Sequence, residues 1–214
     1  MSHIQISGED IKPSEKFVTI QLPLTLKKQL VDDWDYVTQQ KKLVKLPRNP
    51  SVDDILKKYL EHRTKKRWHV NVLCGEILKG IRCYFDKALL AMLLYKNERE
   101  QYEAAVDDKV SPSSVYGAEH LLRLFVKLPE LLTYVHMEEE ALAKLQQKLS
   151  EFLKYVSAEK SELILPCQLR TLKQGMTKHA HGKQAPSNKA RYVHGKLILS
   201  LSLSLSLSLS LSPY

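Results

Sequence analysis

The side chains best suited to metal binding lie in two places, and neither place has the spacing of a site. Asp32, Asp33 and Asp35 are close in sequence. Neighbouring positions on a helix point about 100° apart, so these carboxylates diverge instead of converging on one ion. We interpret them as a solvated acidic face. His179 and His181 lie in "KHAHG", with no Cys or acidic residue at ligand spacing beside them. The sequence therefore predicts no metal site.

The sequence carries no recognisable catalytic motif. Cys74 and Cys83 form no CxxC pair, so we interpret them as buried, small apolar side chains. Together with Cys167 they make an odd number, and the first residues lack the basic start and apolar run of a signal peptide. This combination favours reduced thiols over a disulfide framework. Phosphate-binding, zinc-protease and serine-hydrolase motifs are absent as well. We therefore predict a protein that is not an enzyme and has no cofactor.

Basic residues are concentrated in a link and in a tail. The link contains Arg63, Lys65, Lys66, Arg67 and Trp68. The tail, residues 159–214, has eight Lys/Arg and two Glu, so it holds +6 of the net charge of +9 and leaves +3 for residues 1–158. Nucleic-acid affinity needs many phosphate contacts at once, which favours a solvated link and tail. A basic nucleic-acid-binding helical protein is the alternative hypothesis.

A wide apolar face surrounds Trp34 in the segment "QLVDDWDYVTQQKKLVKLP". Leu26, Leu30 and Trp34 recur in steps of four, which predicts one face of a helix. Val31 lies about 100° from Leu30 and widens that face, and Leu22 precedes it. Periodicity alone favours burial of this face in the core. The extra width, and the enrichment of Trp at binding hot spots, favour a groove for a partner's apolar side chains.

Helical spacing of apolar residues recurs along the chain and predicts an all-α fold of about five helices. The first helix is expected to continue until just before "KLPRNP", where the prolines stop it. The next begins with a capping box formed by Ser51 and Asp54. The longest is expected over about residues 70–92. Pro129 ends or kinks the following helix, and the last one covers residues 142–156.

Both ends of the chain are predicted to be disordered. Residues 1–16 are polar, and residues 166–214 are rich in turn formers and end in seven Leu-Ser pairs. Strict alternation is typical of a strand, whereas low complexity favours a translated repeat that specifies no packing. A chain that ends at Leu165 is therefore expected to keep its melting temperature and to associate less. No apolar run is long enough to cross a membrane.

Five segments carry a more specific signal. They are "LVDDWDYVTQQKKLVKLP", "VDDILKKYL", "EILKGIRCYFDKALLAMLLYKNEREQY", "VYGAEHLLRLFVKLPELL" and "FLKYV". In this order and at these distances they resemble the MRG domain of the mortality-factor-related chromatin proteins, and plant members in particular. The resemblance implies an orthogonal helical domain over residues 17–165, between a tail at 1–16 and a basic tail at 166–214.

The resemblance implies a nuclear, non-enzymatic docking domain that regulates transcription within histone acetyltransferase and histone deacetylase complexes. In this family a shallow hydrophobic groove takes partner segments with Phe, Leu and Pro anchors. Carried over to this sequence, the groove consists of Leu22, Leu30, Val31, Trp34, Tyr95, Val126 and Lys127. The implied partners are protein subunits of these complexes, with a weak nucleic-acid contact through the basic tail. Neither a membrane nor a small-molecule substrate is expected.

Three features depart from the family pattern. Lys127 stands where many members have Arg, which removes a bidentate contact. Members commonly carry an N-terminal chromo barrel that binds methyl-lysine in an aromatic cage, whereas residues 1–16 contain no aromatic residue. The family pattern also ends after about Leu165. The expectation is therefore a chain that docks partners without itself reading histone methylation.

Overall fold

The structure, a computed structural model, describes residues 19–66, 71–107, 109–133, 135, 137–164 and 169–171. Its α-helices within these ranges are α1 (Leu24–Trp34), α2 (Val52–Lys66), α3 (Asn71–Ala88), α4 (Arg99–Ala105), α5 (Pro112–Val115), α6 (Ala118–Leu132), α7 (Glu139–Ala158) and α8 (Lys160–Leu163). The predicted all-α class is confirmed. The short helices α4, α5 and α8 are additions to the predicted set, because each is too brief to show a full apolar period.

Two helices continue into π turns close to the predicted groove. The first π turn, Asp35–Gln39, follows α1, and the second, Leu89–Leu93, follows α3. A 3-10 turn at Lys96–Glu98 then leads into α4, and we call residues 95–98 the 95–98 turn. These irregular turns change the direction of the chain. The apolar period of a regular helix does not predict them.

The prediction of a helix that continues almost to Pro47 is wrong. Helical structure ends at Gln39, Lys41 has a positive φ of 56°, and strand β1 (Lys42–Val44) follows. Strand β1 pairs antiparallel with β2 (Leu169–Thr171), in the register Lys42↔Thr171, Leu43↔Arg170 and Val44↔Leu169. The prediction that residues 166–214 are disordered is therefore wrong at β2. A strand of three residues is too short to be recognised without its distant partner.

The predicted capping box at the start of α2 is confirmed. The Asp54 backbone N–H donates to Ser51 Oγ over 3.2 Å, and the Ser51 N–H donates back to Asp54 Oδ2 over 3.0 Å. The segment before it lies against the start of α6. A Cβ on Gly117 would lie 2.9 Å from the Arg48 Cβ, so glycine permits this close approach. An ion pair between Arg48 and Glu119 links the two segments.

A single hydrophobic core joins the helices. Phe125 of α6 stacks on Phe152 of α7 with ring centroids 5.5 Å apart, and Tyr59 of α2 meets Phe152 edge-on at 5.0 Å. Each such pair adds about 1 kcal/mol beyond area burial. Helix α6 continues past Pro129 to Leu132, so the proline does not end it. The main helices thus bury the apolar faces that their spacing predicts.

Two expectations have a limited test in the structure. No helix in the described ranges has the length and hydropathy that crossing a bilayer requires. The predicted tail at residues 1–16 and the Leu-Ser repeat lie outside the described residues.

Candidate functional site

Helix α1 has one buried side and one side that the other described residues leave exposed. Leu26 is fully buried, and Leu22 and Leu30 pack half-buried against the core. Val31 and Trp34, in contrast, are 63% and 46% exposed. An exposure of this size excludes burial of the whole apolar face in the core. Of the exposed pair, Val31 is the residue that widens the predicted face, and Trp34 is the last residue of its regular series.

Helix α6 packs against α1 and supplies a second set of exposed groups. Val126 is 52% exposed, although the residues just before it are buried in the core. It follows the buried Arg123 by three residues, so the two side chains share one side of the helix. Lys127 is exposed, and its Nζ lies 3.3 Å from the Glu130 carboxylate. Exposed pairs of this kind contribute little to stability.

Tyr95 lies at the start of the 95–98 turn and is half-buried. Its backbone N–H donates to Glu98 Oε2 over 2.8 Å, which closes the turn. The Arg123 guanidinium carbon lies 4.2 Å from the centre of the Tyr95 ring, a favourable cation–π geometry. Burial raises the pKa of the Tyr95 hydroxyl, so the ring remains neutral at physiological pH.

A buried ion network lies beneath these groups. Arg123 Nε and Nη2 donate to the Asp33 carboxylate over 2.7 and 3.0 Å, and Nη1 and Nη2 donate to Glu98 over 2.6 and 3.0 Å. On the other side of Glu98, its Oε1 lies 2.9 Å from His120 Nε2. An ionised carboxylate only accepts hydrogen bonds, so Nε2 carries the proton. We call Asp33, Glu98, His120 and Arg123 the buried ion network.

The network keeps its charges although almost no water reaches it. Burial disfavours the charged form of Glu98, but His120 and Arg123 outweigh burial and lower the pKa of Glu98 to about 2. Burial likewise disfavours the charge on Arg123, but the hydrogen bonds that it donates to Asp33 and Glu98 raise the pKa of Arg123 above its usual range. The ion pair between Glu98 and Arg123 therefore persists throughout the physiological pH range.

The network contacts one predicted groove residue and lies close in sequence to several others. Asp33 lies next to Trp34 and one turn after Leu30, and Arg123 contacts Tyr95. Val126 lies one turn after Arg123. The described contacts join neither Leu22 nor Lys127 to the network, since Leu22 packs against the core and Lys127 pairs with Glu130. That all seven side chains form one partner-binding groove remains a prediction.

Comparison with known proteins identifies the family. A family model described as MRG matches residues 3–165. The chain belongs to the MRG family. The predicted resemblance is confirmed, and the match begins at residue 3, ahead of the expected start at residue 17.

Named relatives agree with this family. The MRG chain is 59% identical to Protein MRG1 of Arabidopsis thaliana over 164 residues, which are 77% of the chain and 51% of that protein. It is 44% identical to the NuA4 complex subunit EAF3 homolog of Dictyostelium discoideum over 154 residues, 71% of the chain and 39% of that protein. It is 42% identical to Mortality factor 4-like protein 1 of Rattus norvegicus over 148 residues, 65% and 45% respectively. The chain thus spans about half the length of these relatives, or less.

The acidic cluster and the cysteines of the MRG chain differ from the predictions. Asp33 does not belong to a solvated acidic face, because it is only 3% exposed and pairs with Arg123. Across the described residues, no group of His, Cys, Asp and Glu has the arrangement of a metal site. Cys74 is buried as predicted, whereas Cys83 is exposed, so the prediction for Cys83 is wrong. Cys83 lies next to Arg82 in α3, and the partly exposed Arg82 forms an ion pair with Asp53.

The basic segments contribute less to the described surface than their sequence suggests. Arg63 extends from α2 to Glu151 of α7 over 3.2 Å, so it links two helices. Arg67 and Trp68 lie outside the described residues, as do His179, His181 and Cys167. The described part of the link therefore offers the exposed Lys65 and one arginine that is already paired with a carboxylate.

Sequence reasoning missed the buried ion network. Its signal is the position of Arg123 inside the apolar run "LLRLFV", where burial of an arginine requires a carboxylate partner. Spacing along the chain does not identify that partner, because Asp33 is 90 residues away from Arg123 and Glu98 is 25 residues away.

Proposed function

We propose that this MRG chain is a non-enzymatic, chromatin-associated adaptor of the nucleus. In this proposal it docks apolar segments of partner proteins in the groove on α1, the 95–98 turn and α6. It would thereby regulate transcription within histone acetyltransferase and histone deacetylase complexes. The names of relatives support the chromatin part, since they include a NuA4 complex subunit homolog and a chromatin modification-related protein, EAF3 of Mycosarcoma maydis, at 38% identity.

The clustering of exposed apolar side chains carries the docking proposal. Six large hydrophobic residues of the described chain are exposed, and four of them lie on the adjoining helices α1 and α6, namely Leu24, Val31, Trp34 and Val126. Two thirds of these exposed apolar side chains thus share one helix pair, as expected of an interaction site and not of scattered surface residues. The aromatic residues Trp34 and Tyr95 are types enriched at binding hot spots.

The buried ion network supports a binding role over a catalytic one. Its acid, base and arginine side chains are paired with one another and shielded from water. A general acid or base must reach a substrate, whereas a scaffold for a binding surface only needs fixed geometry. A preorganised surface also loses less conformational entropy when a partner binds.

Trp34→Ala tests the docking proposal. The probe is a fluorescein-labelled synthetic peptide carrying Phe, Leu and Pro, and the measurement is its dissociation constant by fluorescence anisotropy. We expect Trp34→Ala to weaken binding by about 2 kcal/mol, roughly thirtyfold, as for a central aromatic anchor. Val126→Ala should weaken binding by about 1 kcal/mol.

Val110→Ala is the matched control for Val126→Ala. Val110 is also an exposed valine, at 37%, but it lies ahead of α5, which packs on α2 and α3. Its substitution should leave peptide affinity unchanged. A folded Trp34→Ala variant that binds the peptide as tightly as the native chain would refute the proposal. Trp34→Phe, which keeps an aromatic ring, provides the comparison if the alanine variant does not fold.

The nucleic-acid hypothesis predicts a different result in the same assay. A labelled DNA duplex would replace the peptide, and the dissociation constant would be measured at several salt concentrations. Binding through phosphate contacts weakens steeply with salt and does not depend on Trp34. Peptide binding that depends on Trp34 and changes little with salt supports the adaptor.

A further inference from the structure

Each π turn beside the groove is held by a side chain from another element. The first π turn begins directly after Trp34, and its Val37 carbonyl accepts a hydrogen bond from Asn97 Nδ2 over 3.1 Å. The second π turn ends at Leu93, whose carbonyl accepts from Arg123 Nη1 over 2.9 Å. Irregular turns of this kind are frequent at functional sites. At each π turn the chain thus bends where a side chain that is distant in sequence donates a hydrogen bond to a backbone carbonyl.

Arg123 uses its whole hydrogen-bonding capacity in this arrangement. A guanidinium group has five N–H donors, one on Nε and two on each Nη. The structure gives them five acceptor contacts, namely two on Asp33, two on Glu98 and one on the Leu93 carbonyl. The flat face of the same group lies on Tyr95. No other side chain type offers this number of donors together with a flat face, so Arg123 is not replaceable by Lys here.

We infer that Arg123 is the positioning residue of the groove. Through Asp33 it fixes the end of α1 that presents Trp34, and through Glu98, Leu93 and the Tyr95 ring it fixes the opposite wall. This inference rests on the proposed docking function and adds a determinant of affinity that does not touch the partner. In this role the buried ion network sets the separation and orientation of Trp34 on α1 and Tyr95 on the 95–98 turn.

The same helix provides a matched control. Glu119 of α6 lies one turn before Arg123 and pairs with Arg48, and both side chains are as buried as those of the Arg123–Asp33 pair. The Glu119 pair joins α6 to the segment ahead of α2 instead of to α1. Asp33→Asn and Glu119→Gln each neutralise one buried carboxylate beside an arginine. A network that only stabilises the fold predicts the same consequences for both substitutions.

The first experiment examines the free protein. Trp68→Phe leaves Trp34 as the sole tryptophan of the chain, since the sequence has two. Acrylamide quenching of Trp34 fluorescence then reports how firmly α1 holds that side chain. We expect Asp33→Asn to raise the quenching constant by about half or more, and Glu119→Gln to leave it unchanged. Equal quenching in the two variants would overturn the inference. Glu98→Gln replaces Asp33→Asn in the comparison if the latter does not fold.

The second experiment measures affinity for the labelled Phe/Leu/Pro peptide. We expect Asp33→Asn to weaken binding about tenfold, Asp33→Glu to restore part of the loss, and Glu119→Gln to have no effect. In a Trp34→Ala background, Asp33→Asn should cause little further loss of peptide affinity. If Asp33 acts through Trp34, the losses caused by the two substitutions are not additive. Additive losses, or equal losses in Asp33→Asn and Glu119→Gln, would overturn the positioning role.

The two experiments separate the inference from the proposed function. If the native chain does not bind the peptide, or binds it independently of Trp34, the docking proposal fails while the quenching comparison still decides whether the network positions Trp34. If Trp34→Ala abolishes binding but Asp33→Asn matches Glu119→Gln in both measurements, docking stands and the positioning role is wrong.

Discussion

At the scale of single residues, the buried ion network places two carboxylates against one arginine. Removing charged groups from water has a large free-energy cost, and an apolar set of the same shape is often at least as stable. Asp33, Glu98 and Arg123 therefore contribute more to fixed geometry than to net stability. Once folded, however, the network is sensitive to loss of any member, because the remaining charge is left buried without its partner.

The pH dependence of stability tests this description of Glu98. Its pKa falls from an ordinary value of 4.5 to about 2 in the folded chain. A group with a lowered folded-state pKa stabilises the fold above its unfolded pKa, and this contribution is lost as the pH falls towards the folded value. We therefore expect the free energy of unfolding to fall between about pH 5 and about pH 2, with Glu98 contributing on the order of 3 kcal/mol.

Glu98→Gln should lower stability at neutral pH and flatten this dependence. Urea unfolding followed by circular dichroism at a series of pH values measures both effects. Glu130→Gln is the control, because the exposed Glu130–Lys127 pair contributes little to stability. If the Glu98→Gln variant retains the native pH slope, Glu98 is not held ionised by its neighbours.

At the scale of the elements, local signals in the sequence define helix α2 well. The side chain and backbone of Ser51 and Asp54 satisfy each other at its first turn, and these hydrogen bonds with Ser51 lower the pKa of Asp54. Four residues contain the whole motif, so no tertiary information is needed to predict it. The same locality makes its contribution independent of the groove.

Ser51→Ala is expected to destabilise the fold by about 1 kcal/mol, because it leaves the Asp54 N–H in the first turn of α2 without its acceptor. Peptide affinity should not change. Urea unfolding and the anisotropy assay give the two values. Ser114→Ala removes an exposed hydroxyl that donates to the Ser111 carbonyl, and it should change stability by less than about 0.5 kcal/mol. Equal effects of the two alanine variants would contradict the capping argument.

The elements also differ in how far the sequence alone could predict them. The apolar periods of α3, α6 and α7 predict these helices and their buried faces, because burial repeats at every turn. Strand β1 could not be predicted, since its pairing partner lies in a segment with no apolar period of its own. The exposure of Val31 and Trp34 was favoured only by the excess width that Val31 gives to their face, since periodicity alone favoured burial of that face. The burial of Asp33 was missed because it depends on contact with Arg123 of another helix.

At the scale of the whole molecule, the core joins helices from Leu26 in α1 to Leu163 in α8. The proposed groove lies on one side of this body, where the exposed Val31, Trp34 and Val126 lie on the adjacent helices α1 and α6. Strand β2 lies beyond the last helix and returns the chain to β1, which directly follows the first π turn. The end of the family match at residue 165 is therefore not the end of the regular structure.

This return of the chain changes what truncation should do. A chain that ends at Leu165 lacks β2, so the β1 backbone loses its ladder partner, whereas a chain that ends at Gly175 keeps β2 and still lacks the Leu-Ser repeat. Each lost hydrogen bond removes about 1 kcal/mol, and 1 kcal/mol corresponds to about 2–4 °C in a chain of this size. We expect the shorter chain to melt about 2–6 °C below the longer one. Both should associate less than the full chain in sedimentation experiments, because both lack the seven uncharged Leu-Ser pairs, a composition that favours association. Calorimetry gives the melting temperatures. Equal melting temperatures for the two truncated chains would mean that β2 contributes nothing to stability, and that the domain is complete at Leu165.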